Sequence, residues 1–199
     1  MTGIRQKDLW DPERESRFRE QIFLQISRLS IWLQANAGST ILDHELVRWF
    51  HRRAFERIFP VAAGLVRSPA CPFNVAVGGH SSAPWQVCEG RFTELCQKTI
   101  DFIQELDKLS VEQVHERALH SASWHHANFI AIHPFLDGNG RIGRLCVNYF
   151  AARYGLRSVQ VTRTGMSDYE QALGAFLQQG HVGPLVEYFR VSMWPERPV

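Results

Sequence analysis

The chain has 199 residues, a formal net charge of +2, 45% hydrophobic residues and 21% charged residues. These values are ordinary for a globular protein with one hydrophobic core, so they predict a single domain over residues 1–199. The small net charge argues against a nucleic-acid or membrane-surface binder, and no direct nucleic-acid binding is expected. No apolar run is long enough to span a membrane, and Met1 to Asp11 is too polar for a signal peptide.

The four cysteines point to a reducing compartment. They are Cys71, Cys88, Cys96 and Cys146, and they form neither a CxxC pair nor a metal-type spacing. We therefore expect reduced thiols in a cytoplasmic protein.

Apolar residues recur at helical spacing along most of the chain, which predicts an all-α fold. The predicted helices cover about 12–37, 43–59, 85–106, 168–178 and 183–194. Two more helices flank the stretch of residues 133–144: one starts near residue 110 and runs into it, and the other leaves it and ends at Gly155. The core is expected at about 40–194, with the helix at 12–37 before it. Ser110 to Gln113 and Ser167 to Glu170 have capping-box form, which predicts helix starts at these places.

The segment between residues 68 and 85 is rich in proline and glycine and predicts a loop or hairpin. Phe73, Val75 and Val77 alternate with small or polar residues, as in a short strand. We place a small β-hairpin at Asn74 to Ser82; the alternative is an irregular connection.

The most informative stretch is His-Pro-Phe-Leu-Asp-Gly-Asn-Gly-Arg-Ile-Gly-Arg at residues 133–144. It lies between two apolar helices, and its second half opens a helix, whose unpaired N–H groups and dipole attract anions. Gly138 and Gly140 let the backbone approach a phosphate closely. Arg141 and Arg144, three residues apart, are expected on one helix face as a phosphate clamp.

The other polar groups of the stretch complete a nucleotide site. Asp137 is its one acid and suits Mg²⁺ together with phosphate oxygens. Asn139 is expected to donate to a phosphate oxygen, and His133 to accept a proton from an attacking hydroxyl. A β-hairpin turn at Asp137-Gly138 is the alternative, but the helical period of both flanks argues against it.

This stretch resembles the signature of Fic-domain proteins, which is His, any residue, Phe, any residue, Asp or Glu, Gly-Asn-Gly-Arg, two residues and Arg. Every specified position of the signature is present here. The resemblance implies a Fic-type helical domain with a small hairpin flap that transfers AMP from Mg·ATP to a Ser, Thr or Tyr hydroxyl of a target protein. It implies the following roles: His133 as general base, Asp137 as Mg²⁺ ligand, Gly138 to Gly140 as the anion-binding turn, and Arg141 and Arg144 as phosphate clamps. The related Doc proteins, which phosphorylate, have a lysine where Gly140 stands, so its absence here favours nucleotidyl transfer.

Two further segments resemble the same family. The run from Phe50 to Pro60, followed by Ala63, Gly64 and Arg67, is similar to the end of a Fic-domain helix. Tyr169 with Ala172 and Leu173 matches residues that line the adenine and ribose pocket, although packing of an amphipathic helix explains them equally well.

The resemblance also implies partners. A target segment is expected to pair with the flap at Asn74 to Ser82 by strand addition. Many Fic proteins carry an inhibitory glutamate four residues after Ser or Thr; Glu20 and Glu196 fit that spacing, but the residues around them do not fit. The glutamate therefore comes from a separate small antitoxin protein, as in a toxin–antitoxin pair, or is absent.

Three alternatives remain open from the sequence. The first is a Fic module that binds a nucleotide or partner without catalysis, and the second is a transferase with another donor such as UTP. The third is a metal site formed by His115, His120, His125 and His126, which is disfavoured because no acid or cysteine lies at ligand spacing.

Overall fold

The computed structural model describes residues 9–77, 79–159 and 165–193. Numbered in chain order, its helices and strands are α1 Pro12–Arg17, α2 Arg19–Asn36, α3 His44–Phe55, β1 Ala76–Val77, β2 His80–Ser81, α4 Trp85–Leu106, α5 Val111–Ile132, α6 Asn139–Tyr154, α7 Met166–Gln179 and α8 Gly183–Met193. The predicted all-α class with a small hairpin is confirmed.

Helices α5 and α6 form the centre of the fold. Helix α5 packs against α4, α6, α7 and α8, whereas α6 also packs against α2 and α3. Their contact is close because Gly143 has no side chain: a Cβ there would come within 2.9 Å of the His126 ring. The loop between these two helices, residues 133–138, is therefore held at both ends by buried structure.

The hairpin lies within the predicted segment but is shorter than the alternation suggests. The antiparallel strands β1 and β2 pair Ala76 with Ser81 and Val77 with His80. Phe73 and Val75 precede the paired residues and pack against the core. Apolar alternation therefore marks the approach to the strand as well as the strand itself.

Two predicted helices differ in extent from the observed ones. The helix predicted at 12–37 is divided at Phe18, which leaves helical geometry (φ −107°, ψ 18°). The helix predicted to reach Phe59 ends at Phe55, and tight turns at Ile58 and Phe59 follow it. These turns bring the Gly64 N–H to His51, a contact between residues 13 apart that helical periodicity does not encode.

Neither predicted capping box forms. Ser110 precedes α5, but its side chain makes no capping hydrogen bond to the helix. Ser167 lies inside α7, whose N-cap is Gly165. Ser110 is still the N-cap residue of α5, so the predicted start of that helix is correct although the side-chain bond is absent.

The C-terminal boundaries agree with the predicted stops. Gly155 and Gly180 both adopt the left-handed conformation and end α6 and α7. The sequence also predicts a short extended piece from Ser158 to Val161, of which residues 160–161 lie outside the described residues. Trp194, the predicted end of the last helix, lies outside them as well.

Several buried groups in the core are ionisable. All four cysteines are buried free thiols, and burial raises their pKa values. His51, His125 and His126 are fully buried, and desolvation lowers the pKa of each to about 3.

Over the described residues no helix is long and apolar enough to cross a membrane.

We predict that stability falls as the pH is lowered from 7 to 5. The folded pKa of each buried histidine lies below its ordinary value near 6.5, so the unfolded chain binds protons that the folded chain excludes. Over that interval each histidine lowers the free energy of unfolding by about 2 kcal/mol. Carboxylates with lowered pKa values, such as Asp107, lose their stabilisation at a lower pH.

Urea unfolding of the His125→Phe variant at several pH values tests this prediction. Its stability should depend on pH with a slope that is smaller by about one proton. The exposed His120 provides the matched control, since His120→Phe should keep the wild-type slope. Parallel curves for wild type and His125→Phe would contradict the prediction.

Candidate active site

Helix α5 ends at His133 in an unusual backbone conformation. His133 is the only non-glycine residue with positive φ (55°) among those described, and its N–H still donates to Phe129 O at 2.8 Å. A left-handed residue at this position turns the chain out of the helix. The turn places the imidazole at the start of the loop that joins α5 to α6.

The His133 imidazole is set up to accept a proton. Its Nδ1 lies 3.3 Å from Ile130 O, and because a carbonyl can only accept, Nδ1 carries the proton and Nε2 does not. Burial, together with the nearby charge of Arg67, lowers the pKa of His133 to about 4. The ring is therefore neutral at physiological pH.

Asn139 holds the loop together. Its Oδ1 accepts from Phe135 N at 3.0 Å and its Nδ2 donates to Phe135 O at 2.9 Å, and the residue is 1% exposed. The amide is thus used within the loop, and the expected donation from Asn139 to a phosphate oxygen stays a prediction.

The loop packs on helix α3 through His51. His51 Nδ1 accepts from Gly64 N at 2.8 Å, so its Nε2 carries the proton and donates to Asp137 O at 3.1 Å. The ring also stacks on Phe135, with 3.9 Å between centroids. Sequence reasoning missed this role of His51; the run from Phe50 to Pro60 was the only signal.

Gly138 is required at the turn for two reasons. Its φ is 76°, and a Cβ there would lie 2.6 Å from the Phe55 ring. Gly138 is also the N-cap residue of α6, and it has no side chain that could accept a hydrogen bond from the first N–H groups of the helix. These groups remain suited to bind an anion.

A cavity of about 730 Å³ brings four of the predicted site residues together. They are His133, Gly140, Arg144 and Tyr169, and the other walls come from the hairpin, through Val77 and His80, and from α7. This volume lies in the range of small-molecule sites.

Arg144 and Tyr169 form one wall of the cavity. The Arg144 guanidinium lies over the Tyr169 ring, with its Cζ 5.9 Å from the centroid. A hydrogen bond of 2.7 Å joins the Tyr169 hydroxyl to His126 Nε2. The Tyr169 end of this wall is thereby fixed to α5.

Asp137 and Arg141 are not among the residues that line the cavity, and Arg141 contacts α1 and α3 instead; its expected role as a phosphate clamp stays a prediction. Arg141 lies over the Phe55 ring and forms an ion pair of 2.7 Å with Glu15. Glu15 also accepts from Trp10 Nε1 at 2.8 Å. Helical spacing places the two arginines about 60° apart around the axis, and their partners separate them further.

The Asp137 carboxylate lies next to this arginine. Its Oδ1 accepts from Gly138 N and lies 3.5 Å from Arg141 Nη2, and 49% of the side chain is exposed. No group of three or more metal-ligating side chains occurs among the described residues, which also argues against the histidine metal site. His125 bonds Thr99 and His126 bonds Tyr169 instead.

Comparison with known proteins agrees with this arrangement. The model of the Fic/DOC family matches residues 41–151, from the start of α3 through most of α6. The chain belongs to the Fic/DOC family. The matched region includes the loop, the part of α3 on which it packs and the hairpin, whereas the cavity wall from α7 lies beyond it.

Curated proteins with similar sequences are named protein adenylyltransferases. The protein adenylyltransferase Fic of Drosophila willistoni is 30% identical over 138 residues, which are 69% of this chain and 25% of that protein. The protein adenylyltransferase fic-1 of Caenorhabditis elegans is 27% identical over 146 residues, which are 69% of this chain and 24% of that protein. The chain thus spans about a quarter of the length of these curated relatives.

Solved structures share the fold. A Fic-domain-containing signaling protein from Bacteroides thetaiotaomicron superposes with a TM-score of 0.68 at 22% identity, over 86% of this chain and 67% of that one. The BepC protein from Bartonella tribocorum, a VirB-translocated effector with bound AMPPNP, has a TM-score of 0.69 at 17% identity, over 99% and 95% of the two chains.

The positions of the carboxylates bear on the expected inhibitory glutamate. Within residues 9–77, 79–159 and 165–193 no carboxylate forms an ion pair with Arg144, and Glu196 lies outside these ranges. The carboxylate found next to a motif arginine is Glu15, against Arg141. A separate antitoxin protein stays a prediction.

We predict that Glu15→Gln strengthens triphosphate binding. If Arg141 binds a phosphate, it must first leave Glu15, and the loss of a part-buried ion pair of this kind corresponds to about 1 kcal/mol or about a fivefold change in affinity. Glutamine keeps an acceptor for Trp10 but removes the charge that opposes Arg141.

Titration calorimetry with ATP measures the effect. Glu13→Gln is the matched control, since Glu13 lies exposed on the same helix and should leave the affinity unchanged. Equal affinities for Glu15→Gln and wild type would show that the Glu15–Arg141 pair does not oppose nucleotide binding.

Proposed function

We propose that this protein is an adenylyltransferase that moves AMP from Mg·ATP to a hydroxyl side chain of a target protein. One observation carries the proposal: the unprotonated Nε2 of a neutral His133 belongs to a ring that lines the same cavity as Gly140 and Arg144. A base and groups that bind anions within one cavity are what transfer from a nucleotide to a hydroxyl requires.

The proposed reaction is an exchange of two bonds at the α-phosphorus. The target hydroxyl oxygen forms a bond to the α-phosphorus, and the bond from that atom to the oxygen of the β-phosphate breaks. Pyrophosphate leaves with the bonding electrons, and the hydroxyl proton passes to His133 Nε2. The products are an AMP–protein phosphodiester and pyrophosphate.

The start of α6 supplies the charge that the phosphates need. The first N–H groups after Gly138 and the helix dipole favour an anion, and Arg144 adds a full positive charge at the cavity wall. Because these groups are held by buried structure, they require little rearrangement during the reaction.

Asp137 fits the Mg²⁺ that the family resemblance implies. Its carboxylate is half exposed, and Mg²⁺ in nucleotide sites is bound by one or two carboxylates together with phosphate oxygens. When bound, the ion would neutralise charge on the phosphates. Asp137 is the residue that we propose as its ligand.

ATP is proposed as the donor on two grounds. Relatives at about 30% identity are named protein adenylyltransferases, and a protein of the same fold was crystallised with bound AMPPNP. The Tyr169 ring in the cavity wall offers a face on which a base or ribose can pack. Parallel incubations with α-labelled ATP, UTP, GTP and CTP in a cell lysate identify the donor; label from UTP alone would overturn the choice of ATP.

The hairpin is proposed as the docking place of the target. Val77 and His80 contribute to the cavity wall, so a segment added to the hairpin edge would lie beside His133. Strand addition recognises backbone groups, which suits targets of different sequence. Serine, threonine and tyrosine hydroxyls are all compatible with this arrangement.

We predict that His133→Asn abolishes transfer while the nucleotide still binds. Asparagine tolerates the left-handed backbone of this position better than alanine does, but it cannot accept the proton. The rate should fall by a factor of about 10² to 10⁴. His120→Asn, a change at an exposed histidine of the same helix, should leave the rate unchanged.

Label incorporation from α-labelled ATP and calorimetry with ATP check both parts. Transfer by His133→Asn at the wild-type rate would remove His133 from the role of base. Loss of nucleotide binding in this variant would show instead that the side chain holds the donor.

We also predict an unusually acidic limit to the pH dependence of the reaction. The base must be unprotonated, and the lowered pKa of His133, about 4, keeps it so well below neutrality. At saturating Mg·ATP, kcat should stay nearly constant from about pH 8 to about pH 6, whereas a base with the ordinary histidine pKa near 6.5 would lose most of its activity over that range. A midpoint near pH 6.5 would contradict this environment for His133.

A further inference from the structure

Arg67 is a buried cation in the segment that joins α3 to the hairpin. Its relative exposure is 0%, which makes it the largest fully buried side chain among the described residues. In the described ranges no aspartate or glutamate forms an ion pair with it. A guanidinium that has lost its water must find other acceptors, because an unpaired buried charge is strongly unfavourable.

Two of these acceptors are at the end of α5. Arg67 Nη2 donates to Ile132 O at 2.7 Å, and Nε donates to His133 O at 2.8 Å. Carbonyls in the last turn of a helix have no helical N–H partner, and they lie at the negative end of the helix dipole. The Arg67 main chain continues the contact, since its N–H donates to Pro134 O at 2.8 Å.

The remaining acceptors belong to the two stems of the hairpin. Arg67 Nη1 donates to Phe73 O at 3.2 Å, before β1, and Nη2 donates to Ser82 Oγ at 3.1 Å, after β2. Ser82 Oγ in turn donates to Val75 O at 2.6 Å. One guanidinium thus joins both stems of the hairpin to the backbone on which the His133 side chain is mounted.

We propose that Arg67 is a positioning residue for the transfer reaction: it holds the left-handed backbone of His133 and the hairpin as one unit, so that the base and the docked hydroxyl keep a constant separation. The inference rests on the proposed adenylyl transfer. Left-handed backbone at a non-glycine residue is unfavourable and persists only where its surroundings determine it, and Arg67 supplies bonds to three successive carbonyls at this turn.

Arg67 is not among the residues that line the cavity, and this separates its effects. Nucleotide binding depends on Arg144 and the start of α6, which Arg67 does not contact. The transfer step depends on the relation of His133 to a target held on the hairpin. Loss of Arg67 should therefore lower kcat and leave the nucleotide affinity unchanged.

Arg67→Lys is the main test. Lysine keeps the charge, but its single ammonium group cannot reach the four acceptors that the planar fork reaches. The assay follows the transfer of label from α-labelled ATP to the lysate protein that the wild type modifies. We expect the kcat of this reaction to fall about a hundredfold, because a misplaced reacting group has an effect of this size. The dissociation constant for ATP, measured by calorimetry, should be unchanged. Wild-type kcat, or an equal loss of both quantities, would overturn the proposal.

Amide hydrogen exchange provides a readout that needs no activity. In Arg67→Lys, residues 73–77, residues 79–83 and residues 130–137 should all exchange faster. The matched control is Arg48→Lys, because Arg48 also donates to a backbone carbonyl of this region, Gly64 O at 3.2 Å, but contacts neither the hairpin nor the loop. Unchanged exchange in Arg67→Lys would overturn the coupling.

Chemical rescue separates positioning from general destabilisation. Arg67→Ala leaves a space of guanidinium shape, and methylguanidinium, at concentrations far below those that unfold proteins, should restore part of the kcat. Should neither Arg67 variant fold, Ser82→Ala keeps Arg67 and removes two bonds at the hairpin stems, the one from Arg67 Nη2 to Ser82 Oγ and the one from Ser82 Oγ to Val75 O. It should lower kcat at unchanged ATP affinity, and wild-type kcat in Ser82→Ala would then refute the inference.

The two hypotheses fail in different ways. If wild type transfers no AMP from ATP to any lysate protein, while Arg67→Lys accelerates amide exchange in the hairpin (residues 73–77 and 79–83) and in residues 130–137, the proposed function is wrong and the coupling stands. If wild type transfers AMP and the Arg67→Lys variant shows wild-type exchange and kcat, the positioning role is wrong and the function stands.

Discussion

The site depends on how helix α5 ends. At His133 the chain leaves the helix through a left-handed residue, and the carbonyls that this leaves without helical partners are met by the buried guanidinium of Arg67. The Asn139 amide then closes the following turn against both backbone groups of Phe135. These contacts hold the loop of residues 133–138 in place.

The groups proposed to do chemistry differ from the groups that hold them. His133 and Arg144 line the cavity, whereas His51, Asn139 and Arg67 are buried behind it. Supporting groups of this kind keep reacting groups in a narrow range of positions. They also carry a cost, because buried ionisable groups link the stability of the fold to pH.

The two arginines of the motif show how tertiary contacts divide similar residues. Arg144 lies over Tyr169 at the cavity, and Arg141 lies over Phe55 next to Glu15. Their side chains have the same chemistry and begin three residues apart. The neighbouring helix that each one meets, α7 or α3, determines whether it faces the cavity.

The sequence by itself determined the helical class, the hairpin, the position of the loop and four of the residues that line the cavity, which are His133, Gly140, Arg144 and Tyr169. These features follow from local patterns: helical periodicity, proline and glycine at turns, and one dense run of polar groups. Only the tertiary structure decided that Asn139 is a loop brace, that Arg141 pairs with Glu15 and that Arg67 joins the hairpin to His133. The contacts of Arg141 with Glu15 and of Arg67 with Ile132 and His133 join residues that are more than 60 positions apart. Hydrogen bonds and ion pairs at such separations depend on how the helices pack, and no spacing along the chain encodes them.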